Sequence, residues 1–272
     1  MNSIIENEQT IRPVVFISFL IIFALAEAIF PLAKRKSSIM RQWSTNLALV
    51  LISNLILKLS LPILAVGVAQ WAQSKGIGLF NYVNFFSHEN MAIFTILIAI
   101  VLMDLIIYWQ HVFMHNVPLL WRMHQVHHTE AGLDVSSAIR FHPLEMLFSM
   151  GVKILFVVLL GVPVIAVILF EIILNASAMF NHSNLKLPKK LDSVLRKVIV
   201  TPEVHWVHHS QIVRETNSNY GFSLIFWDKL FSTYISRPKQ DYPVLLQGLK
   251  QFNNQQPINV GNLLLIPFKV KQ

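Results

Sequence analysis

The sequence predicts an all-α, multi-pass transmembrane bundle of about four spanning helices, or hairpin arms, plus one. A cytosolic helical cap lined with histidines completes the predicted fold. Three observations lead there. Hydrophobic residues make up 54% of the 272-residue chain and charged residues only 13%, about half the share a soluble domain carries. Long apolar stretches recur, each long enough for the ~20 helical residues that cross a hydrocarbon core. Ten of the eleven histidines follow residue 110.

Taken in order, the chain starts with Glu6 and Glu8 where a secretory signal would be positively charged, so the first apolar stretch, 13–33, is expected to stay as a helix. The second stretch, 46–70, is interrupted by Asn54, Lys58 and Pro62, which predicts a bent helix packed inside the bundle. The third runs over 91–108. Residues 144–180 are too long for one crossing, and Gly161-Val162-Pro163 near their centre predicts the turn of a helical hairpin. Residues 251–256 read as a polar loop. The motifs divide the chain into N-terminal helices (1–90), a histidine-bearing domain (91–240) and a C-terminal cytosolic tail (241–272).

Charge orients these elements. Lys34, Arg35, Lys36 and Arg41 follow the first stretch, Lys75 alone follows the second, and the hairpin turn carries no basic residue. Positive-inside bias places the first loop, residues 110–141 and the tail in the cytoplasm, and the N-terminus outside. The net charge of +8 therefore reads as topology signal and contact with anionic lipid, and no nucleic-acid motif accompanies it. The absence of cysteine excludes disulfides, thiolate-bound zinc, iron–sulfur clusters and a cysteine nucleophile. Any metal must be held by nitrogen or oxygen.

The histidines fall in clusters: His111 and His115; His124, His127 and His128; His205, His208 and His209; with His142 and His182 standing singly. Positions three and four apart share a helix face, so each cluster turns its imidazoles one way. Neutral imidazole ligates iron, zinc, copper and nickel. Nine or ten convergent rings exceed one ion's needs and suit two. Thr201 followed by Pro202 marks the start of a short helix carrying the last cluster. His88 is set aside as a bystander.

Asp104, Tyr108, His111 and His115 follow at steps of four, three and four, one face of the third helix. Asp104 is expected either to orient a ligand imidazole or to bond a neighbouring helix. Glu171, on the hairpin, is expected to line a lipid route or to pair within the bundle, and Lys153 to snorkel. No H-E-x-x-H or Glu-x-x-His spacing occurs, which sets aside zinc proteases and carboxylate-rich diiron bundles. Haem would leave most of the histidines unexplained. Two alternatives stay open at this point: a dinuclear zinc lipid hydrolase using Glu145 or Glu203 as base, and a non-catalytic metal-binding membrane protein.

The order HxxxH, HxxHH, HxxHH resembles the fatty acid hydroxylase superfamily, which includes sterol desaturases and alkylglycerol monooxygenase. The resemblance extends over residues 91–234. It includes Tyr108-Trp109, Trp121-Arg122-Met123-His124, Arg140-Phe141-His142-Pro143-Leu144-Glu145, Phe180-Asn181-His182, Asn219-Tyr220-Gly221 and the run 227–234, with Ser232 where glycine is usual. It implies a membrane platform under a histidine-lined cytosolic cap holding two irons, with zinc able to replace iron in purified protein. His111, His115, His124, His127, His128, His182, His205, His208 and His209 would be the ligands. His142 would be a further ligand or a catalytic residue lining the site. The implied reaction is hydroxylation or desaturation of a fatty acyl, sterol or ether lipid by O2. Electrons would come from an external ferredoxin or cytochrome b5-like donor, for which the basic surface is suited.

Overall fold

Prolines punctuate this chain, because proline supplies no N–H and pushes its predecessor out of the helical region. The computed structural model describes residues 2–82, 89–255 and 258–269; His88 and Gln256 lie outside them. A short α1 (Asn2–Glu6) leads into α2 (Glu8–Ile29), which stops before Pro31. Next come α3 (Ile39–Ser60), α4 (Ala65–Ser74) and α5 (Leu79–Tyr82), with the break between α3 and α4 at Pro62. The long α6 (Glu89–Asn116) ends ahead of Pro118, which opens α7 (Pro118–His128). The hairpin is α8 (Pro143–Leu160) and α9 (Val164–His182). Short helices follow: α10 (Lys189–Leu195), α11 (Pro202–His208), α12 (Val213–Thr216), α13 (Phe226–Leu230) and α14 (Val260–Lys269). The only β pairings among the described residues are isolated bridges.

Five segments are long and apolar enough to cross a membrane: α2, the α3–α5 stretch, α6, α8 and α9. α9 is central, with 56% of its apolar window buried against 6% for α2. Lipid offers helices no hydrophobic incentive to associate, so close backbone approach matters instead. The buried alanines Ala65, Ala69 and Ala72 of α4, Ala99 of α6 and Ala166 of α9 allow it. The expected hairpin turn forms, with Gly161 in the left-handed region at φ 65° and Pro163 ahead of α9. Gly78 packs against it so closely that a Cβ there would lie 2.2 Å from the Gly161 nitrogen.

The bend expected in the second stretch becomes a full break. Ser53 of α3 donates to the Phe141 carbonyl just ahead of α8, while Gly78 meets the far end of α8. The first half of α3 therefore stands beside the cap, and the rest of α3 descends with α4 along α8, whose 18 residues span about 27 Å. The other bounds also differ from expectation. α2 begins earlier, at Glu8, which Arg12 bridges one turn on. α6 runs on through His111 and His115. Residues 251–255 of the stretch read as a loop (251–256) lie in a 3-10 helix, Lys250–Gln255, and α14 docks Leu263 and Ile266 against Leu49 and Val126.

Polar side chains fasten the cap. Glu27 of α2 accepts from the backbone N–H groups of Val135 and Asn184, at 2.9 Å each, and from Arg35. Arg140, fully buried, donates to Asn46 of α3, Thr129 and the Val126 carbonyl. These contacts bring the loop after α2, residues 110–141 and residues 183–184 to one end of the bundle. Deeper in, Glu171 of α9 accepts from Lys153 of α8 at 2.9 Å and from Arg12 of α2 at 2.5 Å. Lys153 thus pairs within the bundle where snorkelling was expected, and Glu171 is its partner.

Removing one member of a buried ion pair leaves an uncompensated charge and costs about 3–5 kcal/mol. Glu171→Ala is expected to lower the Tm of the detergent-solubilised protein accordingly, and adding Lys153→Met to recover part of the loss. An unchanged Tm would show that the triad does not hold α2, α8 and α9 together.

Candidate metal centre

The three histidine clusters converge at the cap end of the bundle. α6 brings in His111 and His115, α7 brings His124, His127 and His128, the last residue of α9 is His182, and α11 with its C-cap supplies His205, His208 and His209. Nine rings sort into two groups, each with its ligand atoms within 4.8 Å of one another. His111, His115, His124, His128 and His208 form the first; His127, His182, His205 and His209 form the second. The HxxHH spacing produces this division. Residues four apart, His124 with His128 and His205 with His209, enter one group together. The residue at the third position, His127 or His208, turns to the other group. All are buried except His115, which is partly exposed.

Hydrogen bonds on the outer side of the rings fix their chemistry. The Nδ1 atom of His111 donates to the Tyr220 carbonyl at 2.7 Å, that of His182 to the Ala178 carbonyl at 2.7 Å and that of His208 to the Ser218 carbonyl at 2.7 Å. His127 Nδ1 donates to the Arg140 carbonyl at 3.2 Å, and His124 Nδ1 to the Glu145 carboxylate at 2.6 Å. A carbonyl only accepts, so each of these Nδ1 atoms carries the proton, and a neutral ring then has a bare lone pair on Nε2.

Those lone pairs face each other. His182 Nε2 lies 2.9 Å from His127 Nε2, and His111 Nε2 lies 3.1 Å from His124 Nε2. Two acceptors cannot bond each other at that distance. The Nε2 atoms of His115, His128, His208 and His209 are likewise buried without a partner. A cation among them resolves the conflict. With metal–nitrogen bonds of about 2.0–2.1 Å, adjacent ligand nitrogens sit roughly 3 Å apart. The residues present therefore fit metal, and no carboxylate oxygen joins either group among the described residues.

Other candidate residues take different places. Glu145 stands behind His124, on the side away from the lone pairs, and Glu203 pairs with Arg196 at 3.1 Å. Neither is placed as the base a hydrolase needs. His142 lies outside both groups: it caps α8 by accepting from the Leu144 N–H, and its Nε2 reaches the Leu264 carbonyl of α14. Asp104 makes no hydrogen bond to an imidazole. It accepts from the Trp227 indole at 2.9 Å and from the Leu224 N–H, holding the segment whose Tyr220 carbonyl orients His111. Asp228 completes that hold by accepting from the Tyr220 and Gly221 N–H groups. Ser232, where glycine is usual, has φ 59°, the left-handed conformation that glycine adopts freely. Thr201 stands at the N-cap position as expected, yet its hydroxyl donates to Asp192.

Trp121 packs on His115 and His128, with ring centroids at 5.0 and 5.4 Å. A cavity of about 270 Å³ reaches His115 and Trp121 from the cap surface, bordered by Asn217 and Lys250. On the opposite side Phe222 lies 5.0 Å from the His111 ring and packs into the apolar core of the bundle.

Burial, reinforced by neighbouring imidazoles, holds His127, His128, His205, His208 and His209 well below the ordinary value of 6.5. Below that pH the unfolded chain takes up protons that the folded cap refuses, so stability rises with pH. Thermal unfolding of metal-free protein is expected to show full stability above about pH 6.5 and a steady fall towards pH 5; a flat profile would contradict neutral buried rings. Removing the carboxylate that orients His124 by Glu145→Ala is expected to weaken metal binding about 10–100-fold, read by chelator competition. Glu203→Ala should leave it unchanged.

Residues 96–233, just over half of the chain, match the family model described as fatty acid hydroxylase. The chain is 26% identical over 232 residues to an ornithine lipid hydroxylase of Rhizobium tropici, covering 83% of this chain and 67% of that protein. It is 31% identical over 132 residues to alkylglycerol monooxygenase of Danio rerio, covering 48% of this chain and 28% of that protein. It is 27% identical over 173 residues to a very-long-chain aldehyde decarbonylase of Oryza sativa subsp. japonica, covering 60% and 26%. The matched part thus amounts to less than a third of either of the last two relatives. No solved structure matches the chain. The family match takes in every one of the nine clustered histidines, and the chain belongs to the fatty acid hydroxylase family.

Proposed function

We propose that this protein is a membrane-bound oxygenase that hydroxylates a lipid with O2 and external electrons, using two irons held by the nine histidines. The observation that carries the reading is the set of opposed Nε2 lone pairs in two adjoining groups without carboxylates. The first group would hold one iron through His111, His115, His124, His128 and His208, the second another through His127, His182, His205 and His209. The chemistry such a pair supplies when bound is activation of O2 and removal of hydrogen from an unactivated carbon.

The surrounding residues serve that chemistry in distinct ways. Tyr220, Ser218, Ala178 and Arg140 hold the imidazole protons at Nδ1, so the Nε2 atoms keep their lone pairs for metal. Phe222 and the bundle core beneath His111 present an apolar approach from the bilayer, which suits an acyl or alkyl chain. The cavity beside His115 opens on the other side, with Lys250 at its border and Trp121 against two ligand rings. That side suits a small acidic electron carrier. Relatives named for hydroxylation of ornithine lipid and for alkylglycerol monooxygenation favour hydroxyl insertion over desaturation. Lys34, Arg35 and Lys36 lie in the loop fastened to the histidine end, with Arg41 in the first turn of α3; by positive-inside bias this supports a site on the cytoplasmic side.

Gently purified protein is expected to contain iron in both groups and, once reduced, to take up O2 only when a lipid pool is added. His127→Ala and His208→Ala, one from each group, should each abolish that uptake. Retained turnover in either variant, or iron-reconstituted protein that consumes no O2 with any lipid, would overturn the proposal.

A further inference from the structure

Two short helices beyond the hairpin are built inside out for a water-facing surface. In α10 and the turn after it, Leu191, Val194 and Val198 point outward, with exposures of 46, 60 and 61%. Asp192 points inward instead, buried, where it accepts from Thr201 and pairs with Arg196. In α13, Phe226 and Leu230, one helical turn apart, are each 54% exposed, whereas Asp228 is fully buried and holds the backbone of Tyr220 and Gly221. A cap facing water would place these aspartates outside and the aliphatic and aromatic side chains inside.

The two elements form one ledge. The Ile225 N–H donates to the Val198 carbonyl, the Val200 N–H to the Ser223 carbonyl, and Lys229 Nζ to the carbonyls of Arg196 and Lys197. The ledge is continuous with the lipid-facing side of α6, because Phe231 packs on Trp109 at 4.9 Å and Trp109 on Phe113, both of them exposed. It also lies deep. Trp227 donates to Asp104, which is twelve residues short of the α6 terminus at Asn116, or about 18 Å along the axis, and seven residues below His111. Lys189, Lys190 and Lys197 are exposed on the α10 segment, where long side chains can reach phosphates while their stems stay in lipid.

We infer that the α10–α13 ledge is a re-entrant foot embedded in the leaflet nearest the histidine site, its outer face covered by acyl chains and its lysines on anionic headgroups. Irregular backbone is tolerated at such depth where its polar groups are paired, as the Leu224 N–H is with Asp104 and the Val200 and Ile225 N–H groups are within the ledge. The bilayer surface then runs close beneath the metal groups, so a lipid tail has only about two helical turns of α6 to climb. This inference rests on the spanning fold alone and is independent of the oxygenase reading.

The chain's lack of cysteine makes a direct test available. Val194→Cys and Leu230→Cys, both at exposed positions, would each carry an environment-sensitive fluorophore, with Val213→Cys as reference. Val213 is 73% exposed beside the cap cavity. The labelled full-length proteins would be reconstituted into phosphatidylcholine vesicles containing about a quarter phosphatidylglycerol, with and without bromine on the acyl chains. The expected result is loss of emission at positions 194 and 230 in brominated vesicles and protection there from aqueous iodide, with the reverse at 213. Iodide quenching at 194 and 230 equal to that at 213 would overturn the inference. So would quenching by neither agent, since that would mean protein, such as a second copy of the chain, covers the face.

Discussion

Opposed lone pairs on buried imidazoles are the constraint around which this structure is arranged. A neutral histidine ring can satisfy both nitrogens only if one donates and the other accepts. Here His111, His124, His127 and His182 spend their donors outward, on Tyr220, Glu145, Arg140 and Ala178, and turn acceptors on one another. Such a cluster is costly in the absence of a cation. It persists only if the backbone that receives the outward bonds is itself immovable. That requirement explains the weight of polar fastening around the site. Asp104 and Asp228 lock the loop bearing the Tyr220 carbonyl, and Arg140, whose own carbonyl receives His127, is tied by its guanidinium to α3 and to α7.

The membrane imposes a second, opposite demand. Inside the bilayer polar groups must be few and paired, and the bundle meets this deep in its interior by setting Glu171 between Lys153 and Arg12, while alanines bring α4, α6 and α9 together. Buried polarity increases steeply at the end of α9, where Asn181, His182, Ser183 and Asn184 are all buried. The position of the site follows from the two demands together. It needs many buried polar groups, so it cannot lie mid-bundle; the proposed lipid oxidation needs access to an apolar chain, so it cannot stand far from lipid. The boundary at the end of the hairpin satisfies both.

What was legible in the sequence was whatever depends on local spacing. The apolar stretches gave five crossings and Gly161 and Pro163 gave the hairpin turn, but the expectation that each cluster turns all its rings one way held only for the i, i+4 pairs, since His127 and His208 join the opposite group from their neighbours. The division of adjacent histidines between two groups follows from the same helical geometry. Non-local partnerships were not legible. Asp104 sits on the stripe with His111, yet its hydrogen bond goes to Trp227, 123 positions away, a pairing no periodicity encodes. Glu145 was noticed as a possible base, but only the geometry shows that it faces the back of His124. The docking of α14 on α3 and α7, and the full break of the second stretch at Pro62, likewise depend on packing between distant segments.

The outward-facing apolar residues of α10 and α13 show why hydrophobic pattern is ambiguous at a bilayer boundary in particular. Hydrophobic patterning assigns apolar faces to a protein core, and in water that assignment is sound. At a lipid surface the same pattern satisfies two solvents. Leu191, Val194 and Val198 read equally well as core and as lipid contact, and only Asp192, buried on the opposite face, decides between them. A carboxylate turned inward beside an apolar stripe turned outward reverses the pattern expected of a water-facing helix. Burial of the acid is therefore the sharper indicator of the surrounding solvent, and Asp228 opposite Phe226 and Leu230 gives the same indication a second time, on the element that also anchors His111.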